Sequence, residues 1–236
     1  MDLKEAEILG ADVHTHWYYR AKGAALLHDL SGYNPSEILD IGAGSGYFAR
    51  LLLERTHAAR AVCVDTGYAT ERDETWCGRP LVFRRAITRS AADLVLALDV
   101  LEHVPDDVAL LRSYVAMVAS GTRFVISVPA FNFLWSGHDE FLGHRRRYTR
   151  TALERVLTDS GLDVDWSHYY YAALFPLAAA LRLAERMRSG AVPHSQLRRH
   201  GAMVNAALSA ICAAERPIMR ANRLFGLTVF AGCHKP

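Results

Sequence analysis

The chain has 236 residues, a hydrophobic share of 51% and a formal net charge of +2. Such a length and apolar content can bury a sizeable core and exclude a mainly disordered chain, and so mild a basic excess gives no ground for a nucleic-acid partner. The four cysteines, Cys63, Cys77, Cys212 and Cys233, have neither disulfide nor zinc spacing, so a reducing, cytoplasmic setting is expected.

The opening MDLKEAEILG is acidic and lacks the apolar run of a secretory leader. From Trp17 to Leu30 apolar residues recur at helical spacing until Ser31, Gly32, Asn34 and Pro35 stop the pattern. EILDIG then reads as a buried strand entering a tight turn, and YFARLLLER as a helix. RAVCVD is a second strand, VFRRA a short third and DLVLALD a fourth. PDDVALLRSYVAMVA reads as a helix with Pro105 near its start and acids in its first turn, where the helix dipole favours them. TRFVISVP is a fifth strand, TRTALERVLTDSG a helix, LDVDWSHYY a strand and GLTVFAGCH a last one.

Strands alternating with helices in this way predict an α/β fold, a doubly wound, mostly parallel seven-stranded sheet. One domain spanning 1–236 is expected, with an N-terminal helical cap segment at 1–34 and, before the last strand, a helical insertion at 173–222 that covers the substrate site. YYYAALFPLAAALRLA, residues 169–184, is the longest apolar stretch, but Pro176 interrupts it and Arg182 closes it. It falls short of the roughly 18 apolar residues of a membrane span, which leaves room only for a peripheral contact.

LDIGAGSGYF carries the first chemistry. Gly42, Gly44 and Gly46 lie between a predicted strand and a predicted helix, where the backbone turns sharply and a ligand approaches it closely. A dinucleotide fingerprint would place its third glycine at position 47, which is Tyr47. That mismatch speaks against NAD. About twenty residues beyond the turn the second strand ends in Asp65, placed to accept hydrogen bonds from ribose hydroxyls.

EILDIGAGSGYFARLL, AVCVDTG and DLVLALDVLEHVPDD resemble the successive cofactor motifs of class I S-adenosylmethionine-dependent methyltransferases. The likeness continues through ISVPAFNFLWSGHDEFLGHRRRYTRTAL and FGLTVFAGCHKP, so it covers nearly the whole chain. It implies S-adenosylmethionine as cofactor and S-adenosylhomocysteine as product. Asp40, Gly42, Gly44 and Gly46 would lie under the methionine part, Asp65 would bind the ribose, and Thr66 would border the adenine. Where family members often place an acid against the adenine amino group, this chain has Ala86. Asp99 and Val100 would border the methyl group. HTHWYYRAK resembles the family's aromatic entry helix, which makes Tyr18, Tyr19 and Arg20 candidates to close over the cofactor, Arg20 offering a charge to its carboxylate.

A sulfonium is already an activated methyl donor, so positioning can supply much of the catalysis. A hydroxyl or ammonium acceptor must also lose a proton, and His138, His144 and His103 are the candidate bases because they follow the fourth and fifth strands, at the end of the sheet where ligands bind. Asp99, Glu102 and His103 are spaced like the cluster by which some small-RNA and quinone-precursor methyltransferases hold a divalent ion, a later histidine completing the set, but Asp99 stands in place of the longer Glu, so no metal is expected and a metal-dependent enzyme is the alternative. Arg145, Arg146 and Arg147 either pair with Asp139 and Glu140 on a solvated surface or grip an anionic group of the substrate. Trp135, Arg146, Tyr170 and Tyr171 are the candidate substrate contacts. The resulting expectation is methyl transfer to a small, partly apolar acceptor, a biosynthetic intermediate of secondary or lipid-linked metabolism, by a monomer or homodimer. RNA or protein acceptors, and a cofactor-binding scaffold without transfer activity, are the alternatives.

Overall fold

Strand β5 (Leu94–Leu98) is buried at every position, which only a strand covered on both faces can be. It pairs in parallel with β1 (Glu37–Ile41) on one side and β6 (Arg123–Pro129) on the other, and β1 pairs in parallel with β2 (Arg60–Val64), as β2 does with β4 (Arg79–Arg84). The structure, a computed structural model, describes residues 10–187 and 200–236. Residues 1–9 of the expected N-terminal cap and 188–199 of the expected insertion lie outside the described residues.

Eight strands form one sheet in the order β3-β4-β2-β1-β5-β6-β8-β7. Strand β8 (Thr228–His234) runs antiparallel between β6 and β7 (Asp163–Tyr170). The eighth strand, absent from the sequence expectation, is β3 (Arg72–Trp76), joined to β4 by a hairpin whose two loop residues, Cys77 and Gly78, have φ of 50° and 74°. Two positive φ angles in a two-residue loop match the right-handed twist of the strands it joins. The strand is polar and largely exposed, so it lacks an apolar alternation. The stacking of Arg72 3.6 Å from the centroid of the Phe83 ring holds it to its neighbour.

Successive strand residues feed opposite faces. Ile38 belongs to a core with Leu26, Phe48 and Leu52, and its neighbour Leu39 to a second with Leu111, Leu153 and Leu157. Helices α1 (Trp17–Asp29) and α2 (Tyr47–Arg55) thus cover one face, while α3 (Asp107–Met117) and α5 (Arg150–Asp159) cover the other. Asp106 caps α3 through the Ala109 N–H at 2.8 Å, and Thr149 caps α5 through the Ala152 N–H at 3.2 Å. Helices α6 (Phe175–Met187) and α7 (Ala202–Glu215) precede β8, and among the described residues no helix is long and apolar enough to cross a membrane.

One buried ion cluster ties α1 to this frame. Asp29 accepts from His168 Nε2 on β7 at 3.0 Å and from Arg220 Nε at 3.0 Å, and its side chain has no exposed surface. Removing Asp29 leaves the buried His168 without its partner, while the half-exposed Arg220 can turn to water. Asp29→Ala is therefore expected to cost about 1–3 kcal/mol of stability, to be measured by urea unfolding.

Candidate active site

Strand order reverses between β1 and β5, and the crevice outside their carboxyl ends is where a ligand fits a sheet of this kind. The turn from β1 to α2 borders it. Gly42, Gly44 and Gly46 have φ of 62°, 53° and 75°, left-handed values that cost a side-chain-bearing residue energy. Space adds a second constraint: a Cβ on Gly42 would sit 2.7 Å from Val100 Cγ2, and one on Gly46 3.0 Å from the Phe83 ring. Asp65 stands beside the turn, its oxygens accepting from the Gly44 N–H at 3.0 Å and the Gly67 N–H at 2.9 Å. A carboxylate offers about four lone-pair sites, so these two bonds fix its orientation and leave acceptors for a diol. Thr66 and Ala86 are exposed just beyond the ends of β2 and β4.

Asp40 is buried below the glycine turn with Oδ2 lacking any hydrogen-bond partner. Burial pushes its carboxyl up to about 7. Such a buried, unsatisfied acceptor under a bare backbone cradle suits a ligand carrying a positive group, as the amino-acid end of S-adenosylmethionine does.

Val100, which packs on Gly42, follows Asp99, and Asp99 lines a cavity of about 290 Å³. Asp99, Tyr18 and Tyr171 line its inner end, Leu174, Leu177 and Leu181 its apolar wall. Asp99 follows β5 with φ of 56°, an uncommon conformation for a non-glycine residue that surrounding bonds must hold. Its Oδ2 accepts from Lys22 Nζ and, at 3.1 Å, from Tyr18 Oη, while Oδ1 accepts from Ser127 Oγ at 3.3 Å. Burial works to raise Asp99, but the Lys22 charge and hydrogen bond hold it below the usual carboxylate range. The Tyr171 ring stacks on Tyr18 at 5.7 Å, and its hydroxyl donates to the Tyr18 carbonyl at 3.0 Å.

The polar wall carries Glu102, His103, His138, His144 and Arg147. The stretch from Leu134 to Arg150, which follows β6, reaches it because Asp139 gathers the loop. That carboxylate, wholly buried in the short helix α4 (Gly137–Leu142), accepts from the Ser136 N–H at 2.9 Å and pairs with His144 Nδ1 at 2.8 Å. It also takes two bonds from Arg147, at 2.7 and 2.9 Å. Burial would raise Asp139, but His144 and Arg147 hold it well below the usual carboxylate range. His138 is lowered to about 4, chiefly by burial, so it is uncharged at neutral pH. Glu102 is fully buried, and burial followed by the nearby Asp99 charge raises it well above the ordinary range.

Residues 15–166 match the family described as Methyltransferase domain. The chain belongs to that family. It is a class I methyltransferase, an enzyme that uses S-adenosylmethionine. Solved structures agree on the fold: a protein assigned as a methyltransferase, in complex with the Haloferax volcanii Trm112 activator, is 17% identical with 99% of this chain and 94% of that one covered at a TM-score of 0.60. A protein assigned as a methyltransferase from Bacillus halodurans is 12% identical over 92% and 99% of the two chains at 0.54. The [4+2]-cyclase SpnF is 15% identical over 90% and 82% at 0.53, a sign that the fold by itself does not specify the reaction. No curated protein matches the sequence.

Several expected site residues lie elsewhere. Arg20 is exposed in a groove between α1 and α2 with Tyr47 and Arg50, turned from the helix face that carries Tyr18 and Lys22. Tyr19 is a core residue against Tyr47 and Phe48. Arg146 bonds Asp107 and the carbonyls of Val104 and Pro105, tying the loop to the start of α3 instead of facing a substrate. Arg145 likewise donates to the His103 carbonyl. Tyr170 is buried with its hydroxyl on the Cys212 carbonyl. Trp135 is half-buried and not among the residues that line the cavity. Asp99 is committed to Lys22 and does not join Glu102 and His103. Lys22 was missed, although a signal existed: it is one of three lysines in an arginine-rich chain, on an otherwise apolar stretch of helix.

The Asp40 carboxyl gives a pH test. Its folded pKa is raised, so the folded state holds the proton more tightly than the unfolded one, and stability falls as pH rises from about 4 towards 7. The slope from this group is on the order of 1 kcal/mol per pH unit across that window. Thermal unfolding of Asp40→Asn, compared with the parent between pH 4.5 and 7.5 (about the span of the shift), is expected to show a shallower decline.

Proposed function

We propose that this methyltransferase acts on a small, partly apolar acceptor, or on the head of a lipid-linked one, held in the cavity beyond Asp99. The cavity carries this reading: its lining residue Asp99 precedes Val100, which packs on Gly42, its size is near the lower end of ligand pockets, about 300–1,000 Å³, and it sets a leucine wall against histidines. S-adenosylmethionine supplies an activated methyl group on its sulfonium. The chain's residues supply orientation and a dry site, with the Gly42–Gly46 turn under the methionine end, Asp65 on the ribose and Asp99 near the transferred methyl. Helices α6 and α7 contribute Leu177, Leu181 and Leu208 to the lining, which supports a cap that selects the acceptor. A biosynthetic role in the cytoplasm fits Cys63, Cys212 and Cys233, which are buried and unpaired.

His138 faces the cavity uncharged and can accept the proton that an oxygen or ammonium acceptor loses. Its low pKa makes it a weak base, so its contribution falls at or below the lower end of the usual range, about 10²-fold. His138→Ala is expected to lower turnover by about 10- to 100-fold while leaving S-adenosylhomocysteine affinity unchanged by calorimetry. Transfer of labelled methyl from S-adenosylmethionine to a panel of hydroxylated and amine acceptors tests the wider reading. Labelling confined to RNA or protein would overturn it.

A further inference from the structure

Glu102, His103 and His144 each offer a ligand atom, and those atoms lie within 4.8 Å of one another in the polar wall of the cavity. They come from two separate segments, the turn after β5 and the loop after α4. The His103 and His144 rings meet edge to face with centroids 4.7 Å apart. Glu102 has no exposed surface, and neither of its carboxylate oxygens has a hydrogen-bond partner. A carboxylate buried with nothing to satisfy it is costly, and such groups are ordinarily paired or coordinate a metal. The Lys22 ammonium, which could have paired with it, is taken by Asp99. His144 adds an independent sign: its Nδ1 meets the Asp139 carboxylate at 2.8 Å, which fixes the proton on Nδ1 and leaves the Nε2 lone pair free to ligate. A carboxylate behind an imidazole in this way is the usual support of a metal-bound histidine.

We propose that Glu102, His103 and His144 form a binding site for one divalent transition-metal ion, with Asp139 as the positioning residue for His144. Two imidazoles and a carboxylate suit Mn²⁺, Fe²⁺, Co²⁺ or Zn²⁺ better than Ca²⁺ or Mg²⁺, which favour oxygen alone. Bonds of about 2.0–2.2 Å put tetrahedral ligand atoms about 3.4 Å apart, so closing the set requires movements of about an ångström. Three protein ligands leave a position open toward the cavity, where an acceptor oxygen would sit. The ion would lower the pKa of that oxygen. Its proton passes to His138 in the same wall, its lone pair forms the O–CH₃ bond, and the S–CH₃ bond breaks with its electron pair on sulfur. This inference deepens the reading of the cavity as the acceptor site and rests on it for the catalytic role alone.

The test uses the full chain, freed of metal with a chelator and then titrated with Co²⁺ while the visible d–d absorption is followed, and with Zn²⁺ and Mn²⁺ by calorimetry. Saturation at one equivalent is expected. Glu102→Gln, His103→Ala and His144→Ala should each abolish it, and Asp139→Asn should weaken it by about 10- to 100-fold. S-adenosylhomocysteine binding, measured in parallel, should persist in every variant and so reports that the fold survives. Absence of saturable binding to the parent, or saturation that persists in both Glu102→Gln and His144→Ala, overturns the proposal. Saturation with all acceptor classes unlabelled would instead remove the acceptor reading and leave the metal site standing.

Discussion

The polar half of the active site depends on one carboxylate. Asp139 is wholly buried and satisfied from three directions, by the Arg147 fork, the His144 imidazole and the Ser136 N–H that begins its own short helix. The Ser136 bond closes the capping box of α4, and the bonds to His144 and Arg147 reach past the end of that helix. Together they fold the segment between β6 and α5 back on itself, so that His138 and His144 arrive at a wall built by a different loop. A buried charge is expensive unless fully paired, and the loop conformation is the one that pairs it. The three consecutive arginines share this work. Arg147 binds Asp139, Arg146 binds Asp107 and two carbonyls, and Arg145 holds the turn after β5. They join the two halves of the polar wall from behind.

A second ion pair stands at the edge of the cavity, its lysine fully buried. Lys22 comes from the first described α-helix and Asp99 from the end of the central strand. The pair neutralises both charges in a place with little water, and it holds Asp99 in a left-handed conformation that its own side chain disfavours. Tyr18 and Tyr171, bonded to each other's surroundings and stacked, close the same junction. A methyl group passing from cofactor to acceptor would cross here, between a glycine turn that can approach a ligand closely and a cavity half apolar and half titratable.

The sheet was legible in the sequence wherever the chain must bury both faces of a strand. LVLAL and AVCV are apolar without interruption, EILDI is broken only by Glu37 and Asp40, and the turns that end them carry glycine or acid. The edge strand Arg72–Trp76 was not legible, because an edge has no second face to bury and its charged residues look like loop. In the site the placement of Asp65 beside the glycine turn could be read because it rests on the backbone and on spacing along one βαβ unit. Side-chain direction could not. Arg20 and Lys22 are two residues apart, and only the helix phase decides that Lys22 enters the site and Arg20 faces solvent. The arginine triplet favoured an ion-paired surface and left an anion grip as the alternative. The structure makes Arg147 half of an ion pair, but buried, because its partner Asp139 is inside.

The central claim is that methyl transfer takes place where the glycine-turn crevice opens into the cavity beside Asp99. A crystal structure of the S-adenosylhomocysteine complex tests it most directly. The account predicts the ribose on Asp65, the amino-acid end over Gly42 and Gly44, and the sulfur at the Asp99 end with its open side toward His138 and His144. A product bound with its sulfur directed away from that cavity would contradict it.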